Sequence, residues 1–304
     1  MSDPVAPAQH DEDVIPPAPE LQEGHSLLPL LTQPIDIDED TTGARWVPQN
    51  EAQLAHLIAI IAMGQASYAG YIIRELAPAS PAFTKEALSR EAVIKLTVQE
   101  ESQNPRTGYP RWQRDGFMFE SISWIAAQQD HGERALLMTP HVSATSQGLD
   151  GLMIRLSEDK TKIIDTTIFE DKCSEDPRKT FLQKVLPAFL DHHRDRRSAE
   201  VVAAASVLLE RAGFDSASAA IQAGAVTNRK KRSYRAAFAV TEDYDSLEQR
   251  RSLFRDYDRI DGISAKQRIG ASFVVDGELR DWFDRLAIEA ISYLRELAVK
   301  ESDV

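Results

Sequence analysis

Three residues of this chain could act together on a bond: Asp150, Glu170 and Lys172. They bracket the stretch Gly148–Lys172, in which two apolar-rich runs, Leu149–Leu156 and Lys162–Phe169, flank a polar connector, Ser157–Thr161. That pattern predicts a β-hairpin. A hairpin folds its ends together, so Asp150, opening the first strand, meets Glu170 and Lys172, closing the second. Residues two apart on a strand share a face, which puts Glu170 and Lys172 side by side. Two carboxylates and an ammonium converging at a sheet end can hold a divalent metal and steer a water.

The tripeptide (Asp/Glu)-x-Lys is a weak pattern, and it occurs twice here. The copy Glu158-Asp159-Lys160 falls in the polar connector, where charges belong to a solvated turn. Glu170-Asp171-Lys172 follows Ile163–Phe169, a run expected to be buried, so its charges lie where burial begins. A structural ion pair between Glu170 and Lys172 is the plain alternative. Strand alternation sends Asp165 and Asp171 to the face opposite Glu170, leaving only the Asp171 carbonyl within reach of the site. His192 and His193 are adjacent on an expected helix, about 100° apart, so they form no ligand pair and read as part of a solvated basic helix end. Cys173 has no histidine partner in the pattern, so a nucleophilic role is not expected.

The elements that must hold these residues follow from periodicity. Glu51–Leu76 reads as one long helix, apolar on most sides and stopped by Pro78, and Pro81–Leu96 as another. Gln103–Arg114 reads as a loop, and Phe117–Gln129 as a helix capped by Asp115. Arg134–Met138 is a short strand leading to the hairpin. Pro177–His193 and Glu200–Ala212 are helices, Ala236–Val240 a strand, and Ser246–Tyr257 a charged helix. Ile269–Val275 and Leu279–Ala298 close the chain as strand and amphipathic helix. The order helix, three strands, helix, strand predicts an α/β fold, a mixed sheet flanked by helices.

Composition narrows the class. The chain has 304 residues, 42% apolar and 27% charged, as an ordinary globular protein does. Its net charge of −13 is concentrated in residues 1–40, which carry ten acidic and no basic residues; the remainder is −3, so an acidic total does not argue against nucleic acid. With one cysteine no intrachain disulfide is possible, and a reducing cytoplasm is expected. The first residues lack the basic and apolar regions of a secretory leader, and no apolar run is long enough to span a bilayer. Seven of the fifteen prolines also fall in residues 1–40, so residues 1–45 are expected to be a disordered acidic tail, with Leu27–Leu31 as an apolar island that could dock.

Gly148-Leu149-Asp150-Gly151, followed by Glu170-Asp171-Lys172, resembles the motif of the PD-(D/E)xK nuclease superfamily. Leu149 stands where the name has proline. The resemblance covers roughly Phe117–Val240 and implies an αβββαβ restriction-endonuclease-like core at 103–245. A helical extension at 46–102 and a helix-strand-helix section at 246–304 would pack on it. It implies a DNA nuclease using Mg2+ or Mn2+, with Asp150 and Glu170 as metal ligands and Lys172 orienting the attacking water. Glu120, on the preceding helix, would be a fourth member. Within the superfamily the chain is similar to nuclease subunits of bacterial antiphage systems such as Hachiman, which implies a separately encoded helicase partner. The competing reading is a non-catalytic DNA- or partner-binding protein that keeps the fold. Two basic clusters could face DNA: Arg229, Lys230, Lys231 and Arg232, and the loop carrying Arg111 and Arg114. The acidic run Asp36–Asp40 could compete with DNA for such a surface.

Overall fold

The computed structural model describes residues 27–101, 103–132, 135–143 and 148–302. Its strands are β1 (Leu30–Asp36), β2 (Thr42–Pro48), β3 (Ala135–Leu137), β4 (Gly151–Leu156), β5 (Ile163–Cys173), β6 (Arg232–Thr241) and β7 (Arg268–Val275). They form one seven-stranded mixed sheet in the order β1-β2-β7-β6-β5-β4-β3. The central strands β2, β7, β6 and β5 are mutually parallel, while β1 at one edge and β4 and β3 at the other pair antiparallel.

Both faces of the sheet are buried, as parallel strands require. One face carries α1 (Glu51–Ala62), α2 (Ala66–Glu75), α3 (Glu86–Leu96) and α4 (Arg111–His131). The other carries α5 (Pro177–Thr180), α6 (Leu186–His193), α7 (Ser198–Arg211), α8 (Ser216–Ala223) and α9 (Leu247–Phe254), and α10 (Leu279–Ser302) returns to the first. The strands serve the two layers alternately. Met153, Phe169, Ala237 and Phe273 pack toward α1–α4 and α10, whereas Leu152, Ile168, Phe238 and Val274 pack toward the second layer. Among the described residues no helix is long and apolar enough to cross a membrane.

The expected helix Glu51–Leu76 is two helices. Asn50 caps the first by accepting the Gln53 N–H (2.9 Å). The break falls at Gly64, whose φ of +84° is open to glycine and strained for other residues. The apolar belt of α1 is explained by burial on nearly all sides, against α10, α2, α3 and α4.

The chain before residue 46 departs further from expectation. Residues 1–26 lie outside the described residues, but 30–45 are not a disordered tail: β1 and β2 form an antiparallel pair that joins the sheet through β7. Leu30, Ile37 and Trp46 are each only 1% exposed, so the apolar island at Leu27–Leu31 is in part core. Composition averages over a segment and misses such single anchors. Gly43 and Gly270 sit opposite each other on β2 and β7. A Cβ on Gly43 would meet the Ile37 side chain at 2.7 Å, and one on Gly270 would meet the Phe254 ring at 2.6 Å. The paired glycines make a notch that seats both side chains. Within the acidic run Asp36–Asp40, Asp36 ends β1, Ile37 is buried and Asp40 reaches Arg268 (3.3 Å), so this segment is a strand turn and no free competitor for DNA.

The expected boundaries at 102 and 245 likewise do not partition the molecule, because β7 lies hydrogen-bonded between β2 and β6. The helix Pro177–His193 is continuous but widens at Phe181–Val185, where the Leu186 N–H bonds to the Phe181 carbonyl five residues back. Pro187 follows at once. It cannot donate to the preceding turn, and a π turn is a common way to absorb that defect.

Candidate active site

The site forms where β4 begins and β5 is ending. Gly151 pairs with Phe169 across the two strands. A Cβ at Gly151 would come within 2.6 Å of the Phe169 ring, so glycine permits the close approach. Asp150 therefore sits beside the end of β5 and accepts the Asp171 N–H at 2.9 Å, which ties the carboxylate to the neighbouring backbone. Lys172 contacts Asp150 Oδ2 through its ammonium and stands 2.9 Å from Glu170 Oε2. The three residues read from the hairpin thus meet at one point, on the face toward α6 and α7.

Their electrostatics follow from burial. The Glu170 side chain is 7% exposed. Burial pushes its carboxyl up to about 7, with Lys172 pulling it down and Asp150 pushing it up again. Burial alone would depress the Lys172 ammonium, but Glu170 and Asp150 outweigh it and hold the group above its ordinary value. Lys172 is therefore a fixed cation between two carboxylates.

Glu120, in the middle of α4, faces the same cleft. It accepts the His141 N–H at 2.7 Å and lies 3.1 Å from Nδ1 of that ring. Burial raises the Glu120 carboxyl against the pull of His141, and the hydrogen bond to Glu120 raises His141 against its own burial. His141 escapes a sequence reading because it lies in an irregular segment with no spacing to flag it. Its signal is positional: Thr139-Pro140-His141 follows a predicted strand that ends beside the hairpin mouth.

A cleft of about 470 Å³ is lined by Glu120, His141, Asp150, Asp171 and Lys172, and also by Trp112, Lys184 and Arg280, while Glu170 is buried and does not line it. Among the described residues no group of three or more His, Cys, Asp and Glu side chains forms a metal cage. What does stand together is two carboxylates on one cation. Asp150 and Glu170 both touch the Lys172 ammonium, so one cation already bridges the two carboxylates. Their all-oxygen chemistry fits Mg2+ or Mn2+, which keep waters on their other positions.

The remaining candidates separate. Asp171 turns to the opposite face, where Arg235 lies 3.3 Å away, and burial pushes its carboxyl up to about 6. Asp165 pairs with its cross-strand neighbour Arg155 (2.8 Å). Burial lifts the Cys173 thiol to about 12, so it stays protonated. His192 and His193 are not a solvated end: both are buried, His193 bonds the Tyr234 hydroxyl (3.2 Å), and neither ring nitrogen of His192 has a partner among the described residues.

Of the expected DNA-facing cations, Arg232 is 1% exposed and bonds the carbonyls of Val226 and His192, so it is a structural strut. Arg229 pairs with Asp195 (2.6 Å), Lys231 bonds the Ile163 carbonyl (3.1 Å) and Lys230 is exposed. This cluster aligns with Thr166 rather than Glu170, about 13 Å down the sheet from the site. Arg111 and Arg114 are not in a loop, since α4 begins right after Pro110. Asp284 of α10 holds both (2.6 Å and 2.5 Å), and Arg114 is buried against Asp115, which is a buried ion-pair partner and not a cap. Polar residues there resemble a loop because their partners come from the far end of the chain.

No protein-family model matches this chain, and no curated protein matches it.

Proposed function

We propose that this protein is a metal-dependent deoxyribonuclease of the PD-(D/E)xK class, hydrolysing phosphodiester bonds at the Asp150–Glu170–Lys172 cluster. The observation that carries the reading is the meeting of Asp150, Lys172 and Glu170 at the open end of the β4–β5 hairpin. The finer fold assignment, a restriction-endonuclease-like core, is supported by α4, β3, β4 and β5, then the helix Pro177–His193 and β6, in αβββαβ order, with β6 parallel to β5.

Asp150 and Glu170 would hold Mg2+ or Mn2+, assisted by the Asp171 carbonyl. When bound, the ion supplies charge neutralisation at the phosphate and a more acidic water. Lys172, tethered by both ligands, orients the attacking water and offsets charge building on the phosphate. Glu120 fixes the His141 ring through Nδ1, leaving Nε2 to deliver a proton to the leaving oxygen.

The wider reading, an antiphage effector working with a separate helicase, rests on the motif resemblance. A non-catalytic DNA- or partner-binding protein is favoured by one observation: Lys172 already satisfies both carboxylates. Purified protein with Mg2+ or Mn2+, alone and with a neighbour-encoded helicase plus ATP, decides between them. Cleavage that EDTA and Asp150→Ala each reduce at least about 100-fold supports the enzyme. DNA binding without any cleavage under all these conditions supports the alternative.

A further inference from the structure

The hydrolytic reading uses only the part of the cleft lined by Glu120, His141, Asp150 and Lys172. Trp112 lines it too, from the first turn of α4, about two helical turns before Glu120, with 65% of its surface exposed. The other three tryptophans, Trp46, Trp124 and Trp282, are 1%, 5% and 1% exposed. Trp112 is not needed to anchor its helix, because Asp284 locks the adjacent Arg111 and Arg114. Lys184 also lines the cleft, from the widened turn of the helix after β5; it is exposed and makes no hydrogen bond or ion pair among the described residues. Arg280 lies alongside, held by Asp115 (2.6 Å) and Glu175 (3.0 Å).

A large exposed aromatic face lining the same cleft as an unengaged ammonium suits a base and a neighbouring phosphate. Stacking on an indole needs a base with an open face. In a duplex each base face is covered by its neighbours, so the platform discriminates by strandedness and not by sequence.

We infer that this part of the cleft is a subsite for single-stranded DNA, with Trp112 stacking on an unpaired base and Lys184 contacting the adjoining phosphate. The inference rests on the nuclease reading only for where the scissile bond lies.

Because the other three tryptophans are buried away from any ligand, a DNA-dependent change in emission is assigned to Trp112 as the part that is lost in Trp112→Ala, whose emission gives the background of the other three. Titration with oligothymidylate in EDTA should quench the Trp112 part, while a blunt duplex of equal length should not. Anisotropy of a labelled oligothymidylate should show Trp112→Ala binding about 10-fold more weakly, with Trp112→Phe restoring most of the affinity. Lys184→Ala should flatten the salt dependence by about 0.7 in log–log slope. Absence of quenching, equal quenching by the duplex, or unchanged affinity in Trp112→Ala would overturn the inference. Binding is read without cutting, so the two readings fail separately. A protein that passes this test but cleaves nothing keeps the subsite and loses the nuclease. One that cleaves both DNA forms equally, with Trp112→Ala unaffected, does the reverse.

Discussion

The chain contains the tripeptide Glu-Asp-Lys at 158–160 and again at 170–172, and the two copies have become different objects. The first is the exposed turn of the β4–β5 hairpin. Its Asp159 is held below the ordinary carboxylate range by hydrogen bonds from Ser157 and Thr161, and Lys160 takes a left-handed φ of +54°. The second copy lies on β5 just past its pairing with β4, where among the described strands only β6 still runs alongside. There Glu170 is pushed up, Lys172 is held charged, and Asp171 is turned to the opposite layer. Identical residues thus gain or lose chemistry through burial and through the partner the topology brings them. Asp150 is brought to the second copy and not the first.

The comparison can be broken most directly by activity. Lys172→Ala should lower DNA cleavage by at least about 100-fold, whereas Lys160→Ala should change it less than about twofold, measured on the same substrate with Mn2+. Equal effects would remove the distinction.

Proton binding sharpens it next. A carboxyl raised to about 7 is mostly protonated below that pH, and a metal must displace that proton to bind. Cleavage should then fall roughly tenfold per pH unit below about 7. The stability effect has the opposite sense: the folded state binds the Glu170 proton more tightly than the unfolded chain does, so Glu170 destabilises the fold as pH rises from about 4.5 to about 7. Glu170→Gln should therefore show less loss of melting temperature across that interval than the parent. Asp159, with a lowered carboxyl, contributes with the reverse sign and only in acid.

Packing gives a smaller contrast. Gly151→Ala places a methyl against the Phe169 ring and should cost about 1–3 kcal/mol in denaturant unfolding. At the turn, Lys160→Gly relieves a left-handed lysine and should stabilise by less than about 1 kcal/mol. If Gly151→Ala proves neutral, the tight β4–β5 approach is not what seats Asp150.

The hairpin and its three charged residues were legible because alternation and the turn act over a few residues. Alternation also placed Asp171 correctly on the far face. What escaped the sequence depends on partners distant along the chain. The start of α4 looked like a loop until α10 supplied Asp284 and Arg280. The strands β1 and β2 looked like a tail because their anchors are few and their sheet neighbour lies more than two hundred residues away. Arg232 looked like a surface cation because a sequence does not show the carbonyls that surround it. His141 joins the site through Glu120, across a segment without periodicity.

The placement of β7 between β2 and β6 has a consequence for how the molecule is made. On a ribosome, β1 and β2 emerge before the other described strands, yet apart from each other their one strand neighbour among the described residues is built from residues 268–275. This pair must wait with an unpaired edge while residues 49–267 are synthesised, whereas the hairpin bearing Asp150 and Glu170 can pair as soon as it appears. Closing the sheet between these two parts is a long-range step, of the kind that slows folding and leaves partly built edges exposed. Arrival of β7 then welds the β1–β2 pair to the half of the sheet that carries Asp150 and Glu170.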